Sequence, residues 1–205
     1  MRPLPRLHAV TDASVRAMPD LGVRAAAIAA AGSAVALHAR DRSASAAELA
    51  ALADRFVALT RPAESATIVN GRPDTAAAVG AHGVQLAAGD LAPRDARTLL
   101  TGWIGRSVHS REEAEAAADE GADYLVLGTI HPSESHPGRA PLGERAIRDV
   151  ARLGLPVIAI GGMTPARARA ARDAGAWGVA AIRSLWYSAD PARAALEFLS
   201  VWDDD

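Results

Sequence analysis

Eight short apolar runs alternate along this chain with eight alanine-rich segments of helical periodicity. The apolar runs are Leu7–Val10, Ala34–Ala39, Ala66–Val69, Gly83–Leu86, Trp103–Val108, Tyr124–Leu127, Pro156–Ile160 and Trp177–Ile182. The helical segments lie near residues 20–31, 45–59, 74–80, 93–100, 111–120, 144–152, 165–174 and 191–201. Parallel strands need a crossover connection, usually a helix, so this alternation predicts an all-parallel sheet.

Eight strand–helix units are the number that closes a (β/α)8 barrel. The alternative is an open doubly wound sheet, but no G-x-G-x-x-G sequence follows the first apolar run. No linker or change of composition divides the chain. We therefore predict the α/β class, as one (β/α)8 TIM-barrel domain that spans residues 1–205.

Composition excludes several classes of protein. The 22 basic residues are scattered and the formal net charge is −2, which predicts no nucleic-acid partner. The chain has no cysteine, and no apolar run approaches the ~20 residues that span a bilayer. The N-terminal residues lack the apolar region of a signal peptide. We expect a cytoplasmic protein with no membrane partner.

Polar residues gather where the predicted strands end, and barrels of this kind place their active site at those ends. Two-residue alternation places His38 and Arg40 on one face of a strand, and Ser107 with His109 on one face of another. Arg40 suits a bidentate contact with an anion, or is a surface cation. His109 suits proton transfer near neutral pH, or makes a structural hydrogen bond at the barrel rim. Two further polar residues at strand ends, expected to contact a ligand, are Asn70 and Gln85. The alternatives are that Asn70 forms a turn with Gly71 and that Gln85 only packs at the barrel mouth.

The segment AIGGMTP, residues 159–165, predicts a phosphate site. Two glycines let the backbone approach a ligand closely, and the helix start behind them favours an anion. Barrels often place a phosphate in the loops after strands 7 and 8. The residues predicted to form this site are Gly161, Gly162, Ala181, Ile182 and Arg183. The alternative is a tight turn that merely requires glycine.

Metal binding is not predicted. The sequence has no His-x3-His pattern and no paired acidic residues of ligand spacing. The acidic residues near strand ends are Asp12 and, farther along its loop, Asp90. We expect no metal and no cofactor.

An ordered set of segments resembles a known superfamily. The segments are LHAVTD, LHARDRSASAAEL, VNGRPDTA, VQLAAGDLAP, IGRSVHSREEA, GADYLVLG and PVIAIGGMTP. They resemble the thiamine phosphate synthase/TenI superfamily, and within it the thiazole tautomerase (TenI) branch, over nearly the whole chain. This resemblance also implies a (β/α)8 barrel.

The two activities of that superfamily differ in their motifs. The synthase joins a pyrimidine diphosphate to a thiazole phosphate with Mg²⁺, and its pattern has Asp where this chain has Gly71. Gln85 and Ala88 also depart from the synthase pattern, and His136 stands where it has a lysine. The resemblance therefore favours the tautomerase, whose metal-independent reaction aromatises the carboxythiazole phosphate tautomer made by thiazole synthase. It assigns acid–base catalysis to His109.

The resemblance also implies the remaining contacts and partners. Ser133, Ser135 and His136 of the sixth strand's loop are expected to contact a thiazole phosphate substrate, together with Arg40 and Ser107. A functional link to thiazole synthase and a homodimer are expected as well. Two alternatives stay open: a thiamine phosphate synthase, and a non-catalytic protein that binds thiazole or thiamine phosphates.

Overall fold

The eight apolar runs form eight parallel strands that close into a barrel in the computed structural model, which describes residues 3–133 and 140–203. The strands are β1 (Leu7–Val10), β2 (Val35–Ala39), β3 (Ala66–Asn70), β4 (Gly83–Leu86), β5 (Trp103–Val108), β6 (Tyr124–Gly128), β7 (Val157–Ile160) and β8 (Gly178–Ala181). Each strand pairs with the next, and β8 pairs with β1. The predicted α/β class and the (β/α)8 fold are confirmed.

Helices follow the strands and cover the outside of the barrel. They are α1 (Ala13–Arg16), α2 (Leu21–Ala29), α3 (Ala46–Thr60), α4 (Pro73–Ala78), α5 (Pro93–Ala96), α6 (Arg111–Asp119), α7 (Gly143–Ala151), α8 (Pro165–Asp173), α9 (Arg183–Trp186) and α10 (Pro191–Leu199). The short helices α1 and α9 were not predicted. Helix α5 is shorter than expected, and beyond it the Thr98 hydroxyl donates to the carbonyl of Asp95 at 2.7 Å, a local bond that competes with helix continuation.

Strand alternation separates two apolar layers. Outward residues such as Leu37, Ile104 and Leu125 pack with the helices in one cluster of buried residues. Inward residues such as Ile68 and Tyr124 form a second cluster inside the barrel. Every second residue of a strand points to the same face, so each strand contributes side chains to both layers.

Contacts between α3, α9 and β1 hold the barrel mouth. The rings of Phe56 and Trp186 are stacked, with centroids 6.2 Å apart, and both residues are fully buried. The indole N–H of Trp186 donates to the carbonyl of Val10 at 2.9 Å. A buried indole N–H needs such an acceptor. This bond attaches the segment after β8 to the C-terminal end of β1.

Two helices begin with a Ser-x-x-Glu sequence, α3 at Ser45 and α6 at Ser110, but they are capped differently. Ser45 and Glu48 form the complete reciprocal pair at the start of α3. At the start of α6, Ser110 Oγ accepts from the Glu113 amide at 3.2 Å, but the Glu113 carboxylate accepts from the His109 amide at 2.7 Å. The carboxylate reaches one residue farther back than a capping box requires. Glu113, in the first turn of α6, thus fixes the position of the His109 backbone.

Within the two described segments, no helix combines the length and apolarity needed to cross a bilayer.

Candidate active site

The strand-end residues predicted to form a site lie together at the C-terminal mouth of the barrel. The structure orders them around the barrel as Arg40, Asn70, Gln85, Ser107 and His109, after or within β2, β3, β4 and β5. The register pairs Asn70 with Gln85, and Gln85 Nε2 donates to Ser107 Oγ at 3.0 Å. Ser133 is half-buried, whereas the predicted contacts Ser135 and His136 fall outside the described residues.

Arg40 follows β2, and hydrogen bonds with Thr11 fix its backbone. Its N–H donates to Thr11 Oγ1 at 2.9 Å, and that hydroxyl lies 2.8 Å from the Arg40 carbonyl. The guanidinium is half-buried, and no described residue forms a hydrogen bond or ion pair with it. Burial, and then the charge of Arg42, lowers the pKa of Arg40, while the carboxylates of Asp12 and Asp41 oppose this without forming an ion pair with it. Such a guanidinium suits a direct contact with an anionic ligand.

The loop after Arg40 is fixed by a buried carboxylate. Asp41 forms an ion pair with Arg16 of α1, and its Oδ1 accepts from the Ser43 amide at 2.8 Å and the Ser43 hydroxyl at 2.7 Å. Burial raises the pKa of Asp41, but the Ser43 hydrogen bonds and Arg16 outweigh it and bring that pKa to about 2. Asp41 is therefore ionised near neutral pH, and the loop that carries Arg42 is tied to the barrel.

Two histidines lie inside the barrel beneath the mouth, and sequence reasoning assigned neither to the site. His8 Nδ1 lies 2.8 Å from His38 Nε2, and His38 Nδ1 lies 3.1 Å from the Asn70 side-chain amide. Burial, and then the neighbouring His38, lowers the pKa of His8. Burial also lowers the pKa of His38, to about 4. Alternation placed His38 on the inner face, but no sequence signal linked it to His8.

Gln85 and Tyr124 each place a polar atom inside the barrel beside Gly105. Neither Gln85 Oε1 nor the Tyr124 hydroxyl, both buried, has a hydrogen-bond partner among the described residues. A Cβ at Gly105 would lie 2.2 Å from Gln85 Oε1 and 2.2 Å from Tyr124 Cζ. Glycine at position 105 is thus required because both side chains occupy the space beside it. Sequence reasoning predicted Gln85 but not Tyr124.

His109 makes a structural contact as well as facing the mouth. Its Nδ1 lies at hydrogen-bond distance from the carbonyl of Gly128. A carbonyl can only accept, so Nδ1 carries the proton, and in the neutral ring Nε2 is the basic atom. This is the rim hydrogen bond that the sequence left as the alternative.

The predicted phosphate site consists of two loops that contact each other. Gly161 and Gly162 follow β7 with positive φ, and Ser184 Oγ donates to the carbonyl of Met163 at 2.8 Å. Among the described residues, none accepts a hydrogen bond from the amides of Gly162 and Met163. These amides lie in the turn immediately before Thr164, the N-cap residue of α8, and a helix start of this kind favours an anion. The structure thus brings the loops after β7 and β8 together, and Arg183 lies exposed at their edge.

Gly162→Ala should weaken phosphate binding about tenfold, because a Cβ there would lie 2.5 Å from the carbonyl of Pro132 and displace the loop. Inorganic phosphate binding, measured by calorimetry, checks this. The control is Gly154→Ala, which has a similar positive φ but no atom within 4 Å of its Cβ. Equal phosphate affinity in the two variants would contradict the assignment.

The carboxylate that the structure places beside Gly71 at the mouth is that of Asp90. In the described parts of the chain, no group of three or more His, Cys, Asp or Glu side chains could hold a metal ion. Asp90 contributes one carboxylate, whose Oδ2 accepts from the Ala87 amide at 2.7 Å. A Cβ at Gly71 would lie 3.4 Å from that same oxygen. The chain therefore supplies one carboxylate where an aspartate at position 71 would supply a second.

A separate cavity of about 830 Å³ opens at the opposite, N-terminal end of the barrel. Arg6, His82 and Trp177 are among its lining residues, and the Arg6 guanidinium lies 3.7 Å from the centre of the Trp177 ring. None of the predicted site residues lines this cavity. In barrels of this class the chemistry belongs to the other end, so we do not assign the cavity to the site.

Comparison with known proteins gives consistent results. The family model for thiamine monophosphate synthase matches residues 7–185. A thiamine-phosphate synthase of Salinispora arenicola is 38% identical over 204 residues, 97% of this chain and 98% of that protein. One of Thermus thermophilus is 40% identical over 147 residues, 71% of each chain. The solved thiamine phosphate pyrophosphorylase of Pyrococcus furiosus superposes with a TM-score of 0.82 at 28% identity, over 97% of this chain and 96% of that one.

These findings overturn one prediction. The similar proteins carry the synthase name, so the prediction of a thiazole tautomerase, an isomerase with His109 as acid and base, is wrong. That prediction rested on a few substituted positions, Gly71 above all, whereas identity with the synthases extends over the whole barrel. The match over most of its length shows that this chain belongs to the thiamine monophosphate synthase family.

Proposed function

We propose that this protein is a thiamine-phosphate synthase, a transferase that joins a pyrimidine diphosphate to a thiazole phosphate. The observation that carries the proposal is the half-buried guanidinium of Arg40. No described residue forms a hydrogen bond or ion pair with it, and the carboxylates of Asp12 and Asp41 act on it only through their charge. A buried cation without a partner is costly, and a bound anion removes that cost. The names of the similar proteins support the same activity.

Two substrates of this kind bring two anionic groups, and the mouth offers two places for them. The loops after β7 and β8 suit the single phosphate, because they present backbone amides at the start of α8. Arg40, with the neighbouring Arg42, suits the diphosphate. Coupling breaks the bond to this diphosphate, so negative charge grows on it as it leaves. Fixed cations at that point stabilise the transition state more than the ground state.

Other side chains at the mouth would position the two rings. We propose substrate contacts for Asn70, Gln85, Ser107, Ser133 and His109, whose Nε2 is not used by the bond to Gly128. The coupling needs no proton shuttle at carbon. His109 would therefore bind substrate and would not act as the acid–base group predicted from the sequence.

The family resemblance implies Mg²⁺, and the residues present fit a protein-held metal poorly. Mg²⁺ usually binds one or two carboxylates together with substrate phosphates. Asp90 is the carboxylate that lies beside Gly71, and its Oδ2 already accepts a backbone hydrogen bond. We assign no step to a metal and propose that Arg40 and Arg42 balance the negative charge of the diphosphate.

A direct assay tests the proposed function. The protein is incubated with the pyrimidine diphosphate and the thiazole phosphate, and the coupled product and released diphosphate are measured by chromatography. We expect equal amounts of both, with none when either substrate is omitted. Parallel reactions with Mg²⁺ and with EDTA report any metal requirement. Tight binding of both substrates without product would instead support the non-catalytic alternative.

Gly71→Asp should create a metal site. The new carboxylate would stand beside Asp90, since a Cβ at position 71 lies 3.4 Å from Asp90 Oδ2. Two adjacent carboxylates repel until a cation binds between them. We expect 10 mM Mg²⁺, a concentration on the order of a weak Mg²⁺ site, to raise the melting temperature of this variant by several degrees more than that of the wild type.

The matched control is Gly71→Asn, which has nearly the same size and tolerates the left-handed backbone conformation at φ +75 without adding charge. An equal response of the two variants to Mg²⁺ would contradict the placement of Asp90.

A further inference from the structure

A row of polar groups runs through the barrel interior from its N-terminal end to the mouth. The carbonyl of Pro5 lies 3.1 Å from His8 Nε2, and His8 Nδ1 lies 2.8 Å from His38 Nε2. His38 Nδ1 lies 3.1 Å from the side-chain amide of Asn70, at the atom placed as Oδ1. His8 and His38 are buried, whereas Asn70 is half-buried at the end of β3. Each contact needs one donor and one acceptor.

The donor and the acceptor of each contact can be assigned in turn, starting from Pro5. The Pro5 carbonyl can only accept, so His8 Nε2 must carry a proton. A neutral His8 then accepts at Nδ1, and His38 must donate from Nε2. A neutral His38 in turn accepts at Nδ1, and the group that donates to it can only be the NH2 of Asn70. The oxygen and nitrogen of an amide are assigned from such networks, and the network here assigns the nitrogen to His38.

The opposite amide orientation would need an extra proton on the histidine pair. If Asn70 Oδ1 faced His38, neutral rings would leave His8 Nε2 and the Pro5 carbonyl as two acceptors 3.1 Å apart. An imidazolium would have to form in the barrel interior. Its surroundings disfavour charge: His8 faces the Tyr124 ring, with centroids 5.7 Å apart, and the charge of Arg40 acts on His38. Burial lowers the pKa of both rings, which supports the neutral pair.

We propose that His8 and His38 are positioning residues that hold the Asn70 amide with its carbonyl oxygen toward the cavity. The NH2 group is used by His38, so Asn70 presents an acceptor at the mouth. The complementary ligand group is an N–H donor, such as an amino substituent on a heteroaromatic ring. The identity of the ligand rests on the proposed function, because a pyrimidine can carry this amino group. The amide orientation depends only on the histidine row.

Nitrogen NMR of the wild-type protein tests the orientation. Long-range proton–nitrogen spectra at pH 7 distinguish the two neutral tautomers and the imidazolium. We expect His8 and His38 both to be neutral, with the proton on Nε2. A proton on Nδ1 of His38, or an imidazolium at either ring, would overturn the proposal. This result does not depend on catalysis, so an inactive enzyme would overturn the proposed function but not the orientation.

Asn70→Asp tests the link between the amide and the rings. An ionised carboxylate can only accept, so His38 should move its proton to Nδ1 or become an imidazolium. His82 is the internal reference, because its Nδ1 accepts from the Thr67 amide at 3.1 Å and should keep its proton on Nε2 in both proteins. An unchanged His38 in this variant would overturn the proposal.

Two fragments test the acceptor at the mouth. We expect 4-aminopyrimidine to bind about fivefold more tightly than pyrimidine, the gain typical of one hydrogen bond. In Asn70→Leu this ratio should fall to about one, while inorganic phosphate binding stays unchanged because the β7 and β8 loops are intact. A ratio near one in the wild type would overturn the specificity that we assign to Asn70.

Discussion

Arg40→Met should reduce the coupling rate at limiting diphosphate substrate by at least about 100-fold, since losing a charged hydrogen-bond partner of an anion costs about 3 kcal/mol. The same variant should be more stable than the wild type by ~1 kcal/mol, because no described residue forms a hydrogen bond or ion pair with this half-buried cation in the free protein. Steady-state kinetics and urea unfolding measure the two effects.

A lower coupling rate together with a higher stability is the result expected of an anion site. Arg42→Met is the matched control: Arg42 is exposed, so its replacement should leave stability nearly unchanged and reduce the rate less. If Arg40→Met destabilises the protein and leaves the rate unaltered, Arg40 is a structural residue and the observation behind the proposed function no longer holds.

Stability should fall steeply as the pH drops from 7 to 4. His38 has a folded pKa of about 4 against an ordinary value of 6.5. The unfolded chain therefore binds a proton first, and the loss begins below pH 6.5 and is complete below the folded pKa. The difference corresponds to roughly 3 kcal/mol. His8 acts with the same sign, since its pKa is lowered as well.

A second, smaller loss should follow at lower pH. The folded pKa of Asp41 is about 2 and its ordinary value is 3.8, so its contribution is present above pH 4 and disappears as the pH falls toward 2. Urea unfolding across the pH range measures both windows. His38→Gln should make the curve between pH 7 and 4 less steep, with the remaining slope due to His8, and leave the lower window in place. An equally steep curve in that variant would contradict the neutral histidine pair.

Local periodicity was sufficient to predict the barrel. The observed strands begin and end within one residue of the predicted runs, β2 starting at Val35 and β8 ending at Ala181, because apolar alternation and turn residues are properties of neighbouring positions. The polar strand ends followed from the same pattern, and the structure places Arg40, Asn70 and Gln85 at one mouth.

The sequence was less informative about which activity the site performs. The tautomerase prediction was based on single substitutions such as Gly71. A substituted position indicates little about the reaction until the residues around it in the fold are known. The structure places Gly71 against Asp90, and the comparisons extend over the whole chain. A motif of a few residues carries less information about reaction class than identity across the barrel that positions it.

The spacing of residues along the chain was enough to give the number of strands, the residues of a strand that share a face and the end at which polar groups gather. Which distant groups share protons depends on the three-dimensional fold. His8 meets His38 across 30 residues, and His38 meets Asn70 across 32. Closure of the barrel brings these side chains within hydrogen-bond distance, and no local pattern encodes that proximity.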